Sequence, residues 1–338
     1  MKTRVSTIIA LAAALGGADC FADAVIINPA GTVALGVFDE GHLNTSTGNI
    51  VNNASATGLA FNFGDNAAPD WRDATSPGCL CEGWGVSVNG TTSGYANIAI
   101  DGVVNLSVDS FTSTASTATS MVHLTSLPGL SVTQEYAPST NAPDALFRDV
   151  VTITNTTGAD VTDLKYVRVM DWDIPPTEFS EFVTIQGTAT TTLLERSHDN
   201  GFATANPLGT ESPIDLTTLD VDFTDSGPAD HGAYFRFNFG ALADGASRTF
   251  EIFYGAAATE AGALAAIGAE SIELFTLGQS RGGATTGSPA TYIFGFRGVG
   301  GTAVIPPPAS DVPEPMSLML MGIGLAGLGA TRRRQVKS

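Results

Sequence analysis

The sequence predicts an all-β protein, an antiparallel β-sandwich of large or double size, with one short helix near residues 256–270. Three observations predict it. Apolar and polar residues alternate through most of residues 25–298, the period of a half-buried strand. Clusters of Gly, Asn, Asp, Ser and Pro interrupt these runs at short intervals, as turns between strands require. The composition, with 38 Gly and 43% apolar but only 14% charged residues in 338, supplies enough apolar surface for a core and argues against disorder.

In chain order, the first half carries strand patterns at 25–27, 32–38, 58–63, 85–88, 96–100, 103–108, 119–124 and 130–136. Asn89-Gly90 and Asp101-Gly102 are hairpin-type pairs, the second lying directly between two strand patterns. A Ser/Thr run at 112–120 suits a sheet edge. The second half continues at 146–154, 164–172, 182–185, 190–194, 219–223, 233–239 and 248–254. Phe235, Phe237 and Phe239 put an aromatic stripe on one strand face. Residues 256–270 break the pattern: they are alanine-rich, with Leu264, Ile267 and Ile272 near helical spacing. Residues 292–297 read as a last strand. Residues 299–311 then read as a linker, loosened by Gly300-Gly301 and stiffened by Pro306-Pro307-Pro308.

The two ends read as targeting segments. Lys2 and Arg4 precede an apolar stretch over 5–17, and Ala22-Asp23-Ala24 offers small residues to a signal peptidase. Cleavage is expected after Ala24, which makes residues 1–24 a signal peptide and removes Cys20. Asp19, rather than a small residue, precedes Cys20, which argues against lipidation. At the other end, residues 316–330 carry no charge and span roughly 22 Å as a helix. That is short of the ~30 Å hydrocarbon core, but Arg332, Arg333 and Arg334 follow at once and extend the reach by snorkelling. They also fix topology, because basic clusters stay on the cytoplasmic side, so the body lies outside. Gly322, Gly324, Gly327 and Gly329 suit a membrane helix more than a soluble one.

The order Val312-Pro313-Glu314-Pro315, short Gly-containing apolar helix, terminal Arg cluster resembles the PEP-CTERM sorting signal. The resemblance covers residues 312–338. It implies recognition at Val312, Pro313, Glu314 and Pro315 by an exosortase-type membrane protease of a Gram-negative, exopolysaccharide-producing bacterium. It also implies transient parking in the inner membrane and loss of the tail on processing. The rest of the chain is then residues 25–298 as a secreted body joined by the linker to this signal.

Setting aside the 6 basic and 3 acidic residues of the two ends leaves 9 basic and 31 acidic, a net charge of −22. Such a body argues against nucleic acid or an anionic membrane surface as partner and leaves room for divalent cations.

Chemistry-bearing patterns are sparse. Cys79-Leu80-Cys81 holds the two cysteines that remain after the leader. A tight local disulfide suits an oxidising compartment; a redox role lacks the C-x-x-C spacing, and a metal role lacks ligands nearby in sequence. Asp171-Trp172-Asp173, followed by Ile174-Pro175-Pro176, places two carboxylates on one face of a strand end. They read as a capped acidic terminus, as Ca²⁺ ligands, or as a glycosidase acid–base pair. His42, His123, His198 and His231 are scattered without zinc-site spacing. There is no nucleophile elbow, P-loop or dinucleotide fingerprint, so no enzyme activity and no cofactor beyond that Ca²⁺ option is expected.

The expected function is that of a sorted structural or adhesive component of biofilm or floc matrix, associated with exopolysaccharide. Its processing partners are signal peptidase and exosortase. The rival reading is a carbohydrate-binding or carbohydrate-active protein with Trp84 or Trp172 as sugar platform beside Asp171 and Asp173. The two separate on one feature: a sugar cleft exposes a tryptophan beside carboxylates, whereas a structural body buries its tryptophans.

Overall fold

The structure is a computed structural model and describes residues 23–282 and 285–304. In chain order the strands are β1 (Ala24–Ile27), β2 (Val33–Val37), β3 (Leu59–Asn62), β4 (Trp71–Asp73), β5 (Gly83–Val88), β6 (Thr92–Asn97) and β7 (Gly102–Val104). They continue as β8 (Leu106–Ser113), β9 (Ala118–Leu124), β10 (Leu127–Pro138), β11 (Leu146–Asn155), β12 (Val161–Trp172), β13 (Glu181–Gln186) and β14 (Leu194–His198). The last are β15 (Phe223–Ala229), β16 (His231–Leu242), β17 (Ser247–Ala257), β18 (Leu274–Gly282) and β19 (Thr285–Arg297), with helix α1 (Glu260–Glu270) between β17 and β18. All strand pairings are antiparallel, so the expected all-β class and sandwich hold.

A nine-stranded sheet (β15-β13-β18-β19-β17-β11-β10-β9-β8) faces a six-stranded sheet (β14-β16-β12-β5-β6-β7), and a four-stranded sheet (β1-β2-β3-β4) packs alongside. The period-two pattern explains the core. Phe235 and Phe237 of β16 point inward and meet Phe296 of β19 edge-on at 5.3 and 4.8 Å between ring centres, a favoured aromatic geometry. Trp84 of β5 and Tyr166 of β12 stack at 6.0 Å in the same layer. On the other face of the large sheet, Phe253 and Ile293 pack against Ala263, Ala266 and Ile267 of α1. The helix starts four residues later than its alanine-rich stretch because 256–257 extend β17. Thr259 is the residue that caps it, its hydroxyl accepting from the Gly262 N–H at 3.1 Å.

Two boundaries shift. Ala24, expected to leave with the leader, is the first residue of β1 and pairs with Val37. The Asp23 carboxylate accepts from Thr45 Oγ1 at 2.9 Å and Thr47 Oγ1 at 3.3 Å. At the far end, residues 299–304 belong to the body, not to a linker. Val299 is fully buried, its N–H donates to Glu273 at 3.0 Å, and Val304 N–H donates to the Ile272 carbonyl at 2.9 Å. Residues 305–311 and the expected membrane helix lie outside the described residues. Among the described residues, no helix is long and apolar enough to cross a membrane.

Candidate functional site

Strand β12 runs through the centre of the six-stranded sheet and carries two buried polar centres. The first surrounds Arg168, which is fully buried. Its Nε donates to Glu82 Oε1, and its Nη1 donates to Gln134 Oε1 at 2.8 Å and to the Gly41 carbonyl at 3.3 Å. Glu82 Oε2 accepts from the Leu43 N–H at 2.6 Å, and Oε1 accepts from the Tyr254 hydroxyl at 3.3 Å. Burial pushes the Glu82 carboxyl up, while Arg168 pulls it back. Burial likewise pushes nearby Asp149 up to about 7. The turn after β2 closes the core beside Arg168: His42 is buried, stacked on Phe38 at 4.3 Å, and burial holds its imidazole down at about 3.

The second centre lies at the strand end. β12 pairs with β16 so that Asp171 faces Gly232 and Trp172 faces His231; continued one step, this register sets Asp230 opposite Asp173. On the other side β12 pairs with β5, Val169 facing Gly83, and the chain just before β5 brings the cysteines alongside. Ligand-capable atoms of Asp171, Asp173 and Asp230 all lie within 4.8 Å of one another, and so do those of Cys79, Cys81 and Asp171. Cys79 and Cys81 are joined as a disulfide.

Asp171 and Asp173 are buried, at 2% and 0% exposure, whereas Asp230 is exposed. Neither oxygen of Asp173 nor Oδ1 of Asp171 has a hydrogen-bond partner among the described residues. Asp171 Oδ2 lies 3.5 Å from Cys79 Sγ, but a disulfide sulfur has no proton to donate, so this oxygen too lacks a donor. Burial, then Asp171 and Asp230, push Asp173 up to about 9; burial, then Asp230 and Glu181, raise Asp171 well above the carboxylate range. Glu181 is also pushed up, to about 8, by burial. Its oxygens are engaged, however, accepting from the His231 and Ser180 N–H groups at 3.0 Å each.

The sugar-platform reading fails on geometry. Trp84 and Trp172 are fully buried and Trp71 is 7% exposed. Trp84 Nε1 donates to the Glu40 carbonyl at 2.9 Å and Trp172 Nε1 to Thr276 Oγ1 at 3.3 Å, so each indole is satisfied inside the core. Trp172 lies against Gly278, where a Cβ would stand 2.6 Å from the indole. A cleft of about 220 Å³ is lined by Phe63, Asp70, Arg72, Pro175, Pro176 and Pro289. It falls below the usual ligand-site range of ~300–1,000 Å³, and Asp70 and Arg72 pair with each other across 3.1 Å.

Sequence reasoning brought forward Cys79, Cys81, Asp171 and Asp173, and the structure brings these four together. It missed Asp230, which carries no local signal and joins only through the β12–β16 register. Val312, Pro313, Glu314, Pro315, Arg332, Arg333 and Arg334 lie outside the described residues.

The body is thus an antiparallel β-sandwich with an acidic pocket at one strand end. Residues 311–334 match the PEP-CTERM protein-sorting motif, and the chain is a PEP-CTERM sorting-domain protein. That motif implies export and processing by exosortase, a membrane protein. Among curated proteins, none matches the chain in sequence. Among solved structures it is similar to a galactose mutarotase-like protein from Lactobacillus casei ATCC 334, with a TM-score of 0.30 and 12% identity, over 82% of this chain and 88% of that one.

Proposed function

We propose that the chain is a non-catalytic structural or adhesive protein of the cell surface or extracellular matrix of a Gram-negative bacterium, working in biofilm or floc together with exopolysaccharide. The sorting motif at 311–334 carries this reading. The body supports it: its three tryptophans are buried, and the cleft beside Pro175 and Pro176 is small and internally paired. Val312–Pro315 serve as the recognition element, Arg332–Arg334 set topology, and the protein passes through the inner membrane on its way out.

Both ends are processed in this reading. At the N-terminus, signal peptidase cuts after Ala22, with Cys20 and Ala22 as the small residues. This position, two residues before the one expected from sequence, preserves Asp23 and the first residue of β1.

Intact-mass measurement of protein recovered from the cell surface and medium tests this. The expected species begins at Asp23 and lacks the apolar run with Arg332–Arg334. A species that retains the run and the arginines is a plain membrane-anchored protein, and the matrix reading then fails. Replacing Pro313 and Pro315 by Ala should stop processing and trap the full-length chain in the membrane; normal arrival at the surface overturns the recognition assignment.

A further inference from the structure

The acidic pocket at the end of β12 gathers three carboxyl groups, two of them buried without a hydrogen-bond donor. We propose that Asp171, Asp173 and Asp230 bind a Ca²⁺ ion that ties the end of β12 to the start of β16, beside the Cys79–Cys81 loop.

Four features support the site. Two of its carboxylates are buried with no donor to either oxygen, although buried polar groups are normally satisfied. Their ligand atoms and one from Asp230 converge within 4.8 Å, close enough to share one cation. None of the ion pairs among the described residues includes Asp171, Asp173 or Asp230, so no basic side chain neutralises them. Asp73 supplies the contrast. It is equally buried, but its carboxylate accepts from the Gly58 N–H at 2.6 Å and the Thr75 N–H at 2.8 Å, and it needs no ion.

The donor set selects the metal. The cysteine sulfurs are tied up with each other, which withdraws the soft ligands and leaves carboxylate oxygens, the donors of Ca²⁺ and Mg²⁺. Mg²⁺ demands near-octahedral geometry and gives up its waters reluctantly, while Ca²⁺ tolerates irregular oxygen shells. Two dehydrated carboxylates on one strand end and a third on its neighbour fit the tolerant ion. Exposed Asp230 provides the way in and room for waters to complete the shell. Glu181 is not a ligand, because both its oxygens are engaged, and His231 turns its ring to Asp199 at 3.5 Å.

The test follows thermal unfolding of the full-length chain in detergent, in chelator and then in millimolar CaCl₂ or MgCl₂ at matched ionic strength. Extracellular-type affinity of roughly 10⁻⁴–10⁻³ M should raise the midpoint by about 3–5 °C with Ca²⁺, and by less with Mg²⁺. Calcium titration calorimetry should find one site. Asp230→Asn, at an exposed position, should leave the metal-free midpoint unchanged and abolish both responses. Asp173→Asn should do the same while holding or raising the metal-free midpoint, which separates a lost site from a lost fold. No Ca²⁺-specific shift in the parent chain overturns the proposal: the carboxylates then hold protons only. A shift that survives both variants also overturns it, by placing the binding elsewhere on the acidic body.

Discussion

Arg168 and Asp171 lie one short step apart on β12, and both take a charge out of water. The two places handle it in opposite ways. The Arg168 guanidinium itself is fully matched: Glu82 balances the charge, Gln134 and the Gly41 carbonyl take further N–H groups, and the Tyr254 ring lies 5.4 Å from it; nearby Asp149 is the lone carboxyl there without a partner at either oxygen. Around Asp171 and Asp173 the converging groups are another carboxylate and, beside Asp171, the sulfurs of a disulfide. A buried charge that the protein satisfies from its own groups is architecture. One that it leaves open at a strand end, with an exposed carboxylate at the mouth, is a place for something that comes from outside.

The sharpest way to break this comparison is Arg168→Ala. It strands Glu82 in the core, and the cost should be about 3–5 kcal/mol in urea unfolding; a loss under about 1 kcal/mol would mean the network is not the closed unit described. Asp173→Asn should carry the opposite sign. In chelator it removes a carboxyl that burial forces to take up a proton, and should stabilise by about 1–2 kcal/mol. A destabilisation of that size would show that the pocket is satisfied from within.

Acidity separates the network's own members. Asp149 is raised to about 7 from the usual 3.8, so its contribution to stability is full below about pH 4 and is lost as pH rises through about 7. His42 is lowered to about 3 from 6.5, so its contribution is present above 6.5 and is lost as pH falls toward about 3. Between pH 5 and 8 the parent chain should therefore lose about 2 kcal/mol more than Asp149→Asn does, measured as unfolding free energy at the two pH values. An identical slope in the variant removes Asp149 from the account. The smallest effect belongs to the surface: Arg72 and Asp70 pair at 40% and 39% side-chain exposure, and Arg72→Ala should change stability by no more than about 0.5 kcal/mol.

Much of the fold was legible because its strands are strongly patterned. β11, β16 and β17 announce themselves by alternation, and the Asn89-Gly90 turn, with both residues at positive φ, is the one its sequence asks for. Other strands hide. β18 reads Leu-Phe-Thr-Leu-Gly-Gln-Ser-Arg-Gly, and its apolar residues stop after Leu277, too early to show a strand period. β4 has three residues, too few to show a period. β14 and β15 start later than the patterns at 190–194 and 219–223 suggest: Thr190 and Thr191 turn back onto the Gly187 carbonyl before β14, and a single helical turn at Leu216–Thr218 precedes β15. For the site, Asp171-Trp172-Asp173 was visible as a local motif, whereas the burial of Trp172 and Trp84, which removes them as sugar platforms, became visible only in the fold. Asp230 was invisible because register, not sequence spacing, delivers it. Arg168 left one usable signal, a charge in the middle of the apolar run Tyr166-Val167-Arg168-Val169-Met170, and such a charge survives in a core only with a partner.

The order of the nine-stranded sheet also sets a schedule for biogenesis. β19 is the last strand to be made, yet it sits near the middle of the sheet, hydrogen-bonded to β18 on one side and β17 on the other. A chain that emerges N-terminus first therefore holds two unjoined half-sheets until residue 297 is free, and Val299 closes the core only after that. The sorting motif begins at residue 311. Completion of the fold and emergence of the sorting motif thus fall almost together.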